Sequence, residues 1–108
     1  MMSVSVFALI AALQTAAPAG SLEEAAECGW ALSREAGLAE GSAREPYLAA
    51  RDAWGAELSS RAVATGMQPE ATHAVIASER ALIVNRIAAD GNAVSSLAGW
   101  CRDNQPGN

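Results

Sequence analysis

Apolar positions crowd most densely between Pro69 and Asp90, in PEATHAVIASERALIVNRIAAD. At 3.6 residues per turn this stretch makes a helix of about six turns. Val75, Ile76, Leu82, Ile83, Val84 and Ile87 cover more than half of its circumference. The remaining side carries Ala74, Ala77, Ser78, Ala81 and Ala88, small enough to let another backbone come close. A helix that is apolar nearly all round is normally buried with neighbours on both sides. The pattern therefore predicts that this helix is the central post of a small helical domain.

Upstream, Ser21 with Glu24 three residues on forms a capping box, and Glu23 and Glu24 suit the positive end of a helix. The first helix is expected from Leu22 to Ala36, with Leu22, Ala25, Cys28, Leu32 and Ala36 on one side and Gly37 as a left-handed stop. Trp30 lies off that line. The second helix has two candidate starts. Ser42 and Glu45 make another capping box, but Pro46 then opposes regular helix, so the start can slip to Glu45–Pro46 with proline in the first turn. Beyond it Tyr47, Arg51, Trp54, Leu58 and Ala62 repeat at helical spacing until Gly66. Gly91 should stop the Pro69–Asp90 helix and Asn92 should cap a short last one, whose Val94, Leu97, Ala98 and Cys101 share a face. With no repeats, no β-branched runs of strand length and no linker, the expectation is an all-α fold. It is a small disulfide-stapled bundle of three main helices plus a short C-terminal helix, one domain over residues 20–103 with a loose tail at 104–108.

Residues 1–19 read as a signal peptide. The apolar run Val4–Leu13 is too short to span a bilayer, which takes about twenty residues. Ala17-Pro18-Ala19 supplies small residues for a peptidase, and Pro18 just past a cut at Ala17 favours cleavage after Ala19. No Lys or Arg precedes the run. The reading places the mature chain in the periplasm or outside the cell, with no membrane association once the leader is removed.

Alanine supplies much of the apolar fraction of 51% and buries little area per residue. The core must rest on Trp30, Trp54, Trp100, Tyr47 and a few aliphatic side chains, and so small a domain needs a staple. Cys28 and Cys101 are the only cysteines and sit near the two ends of the folded region. In an exported chain they are expected to form one disulfide, worth roughly 4 kcal/mol by loop-closure entropy. The net charge of −5 argues against nucleic acid and against an anionic membrane surface. No cofactor is implied.

The candidates for chemistry are few. Glu70 and His73 make an E-x-x-H, which puts a carboxylate and an imidazole on one helix face, but His73 is the only histidine and a di-iron bundle needs that motif twice. The pair remains a candidate for minor metal binding; otherwise Glu70 complements the helix dipole and His73 is solvated. No Gly-x-Ser-x-Gly elbow and no Cys-x-x-Cys occur, so an enzyme is not expected. Glu79, Arg80 and Arg86 stand out because Glu79 and Arg86 project into the apolar side of their helix, where a charge is costly unless paired. Partners are expected from Arg51, Glu57 or Arg61 of the second helix, as a structural ion-pair network or a polar spot for a protein partner.

In its layout of leader, helices and one bridge, the chain resembles periplasmic acid-stress chaperones. No motif carries the likeness, and those chaperones are lysine-rich at their ends where this chain has no lysine. The resemblance implies an acid- or stress-activated chaperone. Protonating all twelve carboxylates would leave seven Arg and His73 as cations, and a Glu79 held ionised by a partner would lose that stabilisation in acid. The leading expectation remains a non-enzymatic binding or structural role in the periplasm or extracellular space.

Overall fold

A computed structural model of the chain describes residues 17–107; the apolar run of the expected leader and Asn108 lie outside them. Four α-helices follow one another, α1 Leu22–Leu38, α2 Glu45–Ala64, α3 Pro69–Ala89 and α4 Gly91–Asp103, with a 3-10 turn at Gly41–Arg44. Among the described residues there is no strand. The all-α bundle of three main helices and a short last one is what the pattern predicts.

Local chemistry explains the boundaries. Ser21 Oγ accepts the Glu24 N–H at 3.1 Å, while the Glu24 carboxylate reaches back to the N–H of Gly20 at 3.0 Å. The capping box is thus closed one residue further out than its usual form. The start of the second helix resolves toward Glu45–Pro46: Gly41–Arg44 forms the 3-10 turn, and proline occupies the first turn of α2. Gly66 adopts φ 70 and turns the chain toward Pro69.

Two expected stops are displaced. Gly37 is helical and α1 continues to Leu38; the positive φ falls instead at Gly41. Gly91 is the first residue of α4, and Asp90 both ends α3 and caps α4, its carboxylate accepting the N–H groups of Asn92 and Ala93. A side chain that can cap makes the glycine turn unnecessary. At the tail, Asn104 donates to the Trp100 carbonyl and Gln105 to that of Arg102, so these side chains cover carbonyls at the end of α4.

The expected central post is not central. α3 buries only Glu79 and Ile83, whereas α1 buries nine of its 17 residues. α1 packs against α2, α3 and α4, and α2 and α3 lie on α1 rather than on each other. The Ala74, Ala77, Ala81 and Ala88 side of α3 faces solvent, and Val84 is 53% exposed. The core instead gathers Cys28, Ala31 and Leu32 of α1, Trp54 of α2, Ile83 of α3, and Val94, Leu97 and Cys101 of α4. Burying a Leu or Val side chain fully is worth about 1.5–3 kcal/mol, and Leu32, Leu97 and Val94 are all fully enclosed.

Polar ties fasten the bundle around α1. The Trp54 indole donates to the Cys101 carbonyl at 2.8 Å, filling an acceptor at the C-terminal end of α4. Trp54 and Trp100 lie with ring centroids 6.3 Å apart. Arg34 of α1 donates to the Gly91 carbonyl and to Ser95 of α4, and Ser95 in turn donates to Glu35.

Candidate functional site

Cys28 and Cys101 are joined, linking α1 to α4 with Cα atoms 5.6 Å apart. Both are fully buried and no free cysteine occurs among the described residues. The bridge spans a sequence separation of 73 residues.

The charges expected in the α3 interface find different partners from those anticipated. Arg86 meets Glu27 of α1 at 3.4 Å. The second helix spends its charges elsewhere: Arg61 pairs with Glu57 at 2.7 Å and with Glu24 of α1 at 3.0 Å, and Arg51 pairs with Asp52. The reason is geometric, since α2 does not pack on α3. Arg61 also donates to the Ser21 carbonyl and lies 5.6 Å from the Trp54 ring centroid. It neutralises Glu24, which is buried in the first turn of α1. Arg80 lies over the Trp30 ring at 5.5 Å.

Glu79 is buried, and so is Glu27, a second acid that bears on its carboxyl group. Its carboxyl group is pushed up from 4.5 to about 7, first by burial, then by the hydrogen bond and charge of Glu27, then by the charge of Glu23. The expected ion pair would have moved it down. Acid therefore does not release Glu79; the neutral form is the one this site favours.

Glu70 and His73 are both exposed in the first turn of α3. Among the described residues no group of three or more His, Cys, Asp or Glu is placed to hold a metal ion. No helix among them is long and apolar enough to cross a membrane.

Between α2 and α3, over α1, runs an apolar groove of about 180 Å³. Ala25, Ala26 and Gly29 make its floor, Trp30 and Ile76 one wall, and Gly55 and Leu58 the other. It exists because α2 and α3 straddle α1 without closing on each other. The Trp30 indole donates to the Ile76 carbonyl at 2.9 Å, so that wall is pinned. Two hollows open beside it, one sharing Ser33 and Arg51 with the groove and the other Trp30 and Ser33. Arg34, Arg44, Arg51 and Arg80 line these three spaces, and no carboxylate does. Two of the four have an acid beside them outside the lining, Asp52 at Arg51 and Glu35 at Arg34.

Sequence reasoning missed the groove. A signal was present in Gly29 and Gly55, glycines in helix interiors where alanine would be about 1 kcal/mol better. Neither has a positive φ, and a Cβ on either would meet nothing within 4 Å. Neither a turn nor a close approach explains them. Both line the groove.

Compared with known proteins, the chain matches no family model, no curated protein and no solved structure.

Proposed function

We propose that this chain is a small, exported, non-enzymatic binding protein whose groove between α2 and α3 takes an apolar segment of a partner protein flanked by carboxylates. The single observation that carries the reading is the groove's chemistry, an apolar floor and walls with Arg51 at one edge, Arg34, Arg44 and Arg80 in the hollows beside it, and no acid among the lining residues. A volume of about 180 Å³ suits one or two large side chains rather than a whole small-molecule ligand, which usually occupies about 300–1,000 Å³. Arginine at the rim favours planar, bidentate recognition of a carboxylate. Export is supported by the Cys28–Cys101 bridge and by the leader read from the sequence, since disulfides persist in oxidising compartments. The non-enzymatic part is supported by the exposed, isolated position of His73, which would have to serve any histidine-based mechanism.

The test uses two probes. The dye 1-anilinonaphthalene-8-sulfonate, an apolar anion, should bind the folded protein. So should a helical peptide carrying Leu at i and i+4 flanked by Glu, and its Lys-flanked counterpart should not. Gly29→Leu fills the groove from its floor without meeting another atom at Cβ, and should weaken both ligands at least about tenfold while circular dichroism stays unchanged. Equal binding of Glu- and Lys-flanked peptides, or undiminished binding by a folded Gly29→Leu variant, would overturn the reading.

A further inference from the structure

The groove has a direction along its length. On α1 its lining runs from Ala25 to Ser33, and the adjoining hollow takes over at Ser33 and continues to Gly37. On α2 the lining runs the opposite way, from Leu58 to Arg51, and the hollow continues from Arg51 to Arg44. Groove and hollow are thus one track laid in the seam between two antiparallel helices. At 1.5 Å per residue, Ala25 to Gly37 is roughly 18 Å of α1. About five residues of extended chain cover that distance at ~3.3 Å each.

The two ends of the track differ in charge. Beside Ala25 and Leu58, Arg61 is taken by two acids, Glu24 at 3.0 Å and Glu57 at 2.7 Å. A third carboxylate arriving there would meet net negative charge. At the other end Arg44 donates to the Ala39 carbonyl at 3.1 Å, and among the described residues no acid pairs with it. Arg51 is paired with its exposed sequence neighbour Asp52 at 3.2 Å, an association that water largely screens. A guanidinium carries five N–H donors, so both arginines have donors to spare.

The arginine end is also blind. α1 and α2 are consecutive, and the 3-10 turn at Gly41–Arg44 that joins them packs on both. A ligand chain lying in the seam therefore cannot run on past Arg44. An internal segment would have to turn out into solvent there, whereas a chain that ends there leaves its carboxylate beside two guanidinium groups.

We infer that the track takes the free C-terminus of a partner protein, its terminal carboxylate held by Arg44 and Arg51 and its last apolar side chains laid over Gly29 toward Leu58. This rests on the binding reading above, and adds to it the direction of the partner chain and the two residues that select its end. Arginine suits the role because its planar fork can pair both oxygens of a carboxylate. Trp30, pinned through its indole to the Ile76 carbonyl at 2.9 Å, gives the apolar side chains a fixed wall. A wall already in place lowers the ordering cost of binding.

The experiment titrates the disulfide-bonded protein into three peptides carrying a neutral fluorophore at the N-terminus, read by fluorescence anisotropy. The first is Ser-Gly-Ala-Leu-Ala-Leu with a free C-terminal carboxylate. The second is its C-terminal amide, and the third is the free acid lengthened by three glycines after the last leucine. The first should bind at least about tenfold tighter than either of the others. Replacing both arginines, Arg44→Gln with Arg51→Gln, should bring the free acid down to the affinity of the amide while the amide itself changes by less than about twofold. Equal affinity of free acid and amide in the wild type overturns the inference and leaves the groove reading standing, and so does full affinity of the lengthened peptide. If none of the three peptides binds, the inference falls, and the Glu- and Lys-flanked helical peptides decide the groove reading separately. Displacement of the first peptide by decanoate at a lower concentration than by its own unlabelled form assigns the track to a fatty acid and likewise overturns the inference.

Discussion

α1 and α3 lie against each other, both long and both rich in alanine, and they hide opposite things. α1 carries Glu23, Glu24 and Glu27 in its first half and buries two of them completely enough to need partners from other helices. α3 carries six large aliphatic side chains and buries Ile83 alone among them, leaving Val84 more than half exposed. The helix with the stronger apolar pattern is the peripheral one. What separates them is the number of neighbours. α1 is enclosed on three sides by α2, α3 and α4 and is tied covalently to α4 through Cys28, whereas among the described residues α3 packs mainly on α1 and α4. An apolar surface makes burial favourable, but only packed elements can provide it.

The largest expected effect comes from cutting α1 loose from α4. Cys28→Ser or Cys101→Ser should cost about 4 kcal/mol, read as a fall in the denaturant midpoint. The double variant should be no worse than either single one. If reduction leaves the midpoint unchanged, α1 is held by packing alone and its central position owes nothing to the bridge.

Next comes a paired truncation that compares the two helices directly. Leu32→Ala in α1 removes a fully buried side chain and should cost about 2–5 kcal/mol. Val84→Ala on the open side of α3 should stay within about 0.5 kcal/mol. Equal costs in chemical denaturation would mean that the open side of α3 is covered after all. Ile83→Ala should behave like Leu32→Ala, because Ile83 is the one buried apolar side chain of α3.

The smallest change sharpens the comparison locally. Trp30→Phe keeps the ring under Arg80 but deletes the indole donor to the Ile76 carbonyl. The loss of about 1 kcal/mol should appear as roughly fivefold weaker hydrogen-exchange protection in α3, with α1 and α4 unaffected. Uniform loss of protection across all helices would show that α3 does not open on its own.

The chain's local order was readable before any neighbour was placed. Ser21 with Glu24, Pro46, Gly66 and Pro69 set helix ends through contacts a few residues long, and those ends are found within a residue or two of expectation. Val94, Leu97, Ala98 and Cys101 declared the buried face of α4 because an amphipathic stripe points one way only. The Cys28–Cys101 pairing followed from there being two cysteines. Where the pattern failed to discriminate, tertiary structure decided. α3 has large apolar side chains over more than half of its circumference and small ones beyond them, so its sequence could not say which side would be covered. Gly37 and Gly91 looked like stops until Asp90 and the continuation to Leu38 took that role. The groove needs two helices straddling a third, and no single helix records that. The sign of the shift at Glu79 is the clearest case. Whether a buried acid is ionised depends on whether an arginine or another acid comes to face it. That was settled by α3 packing on α1, with Glu27 opposite, and not on α2 with Arg51 and Arg61.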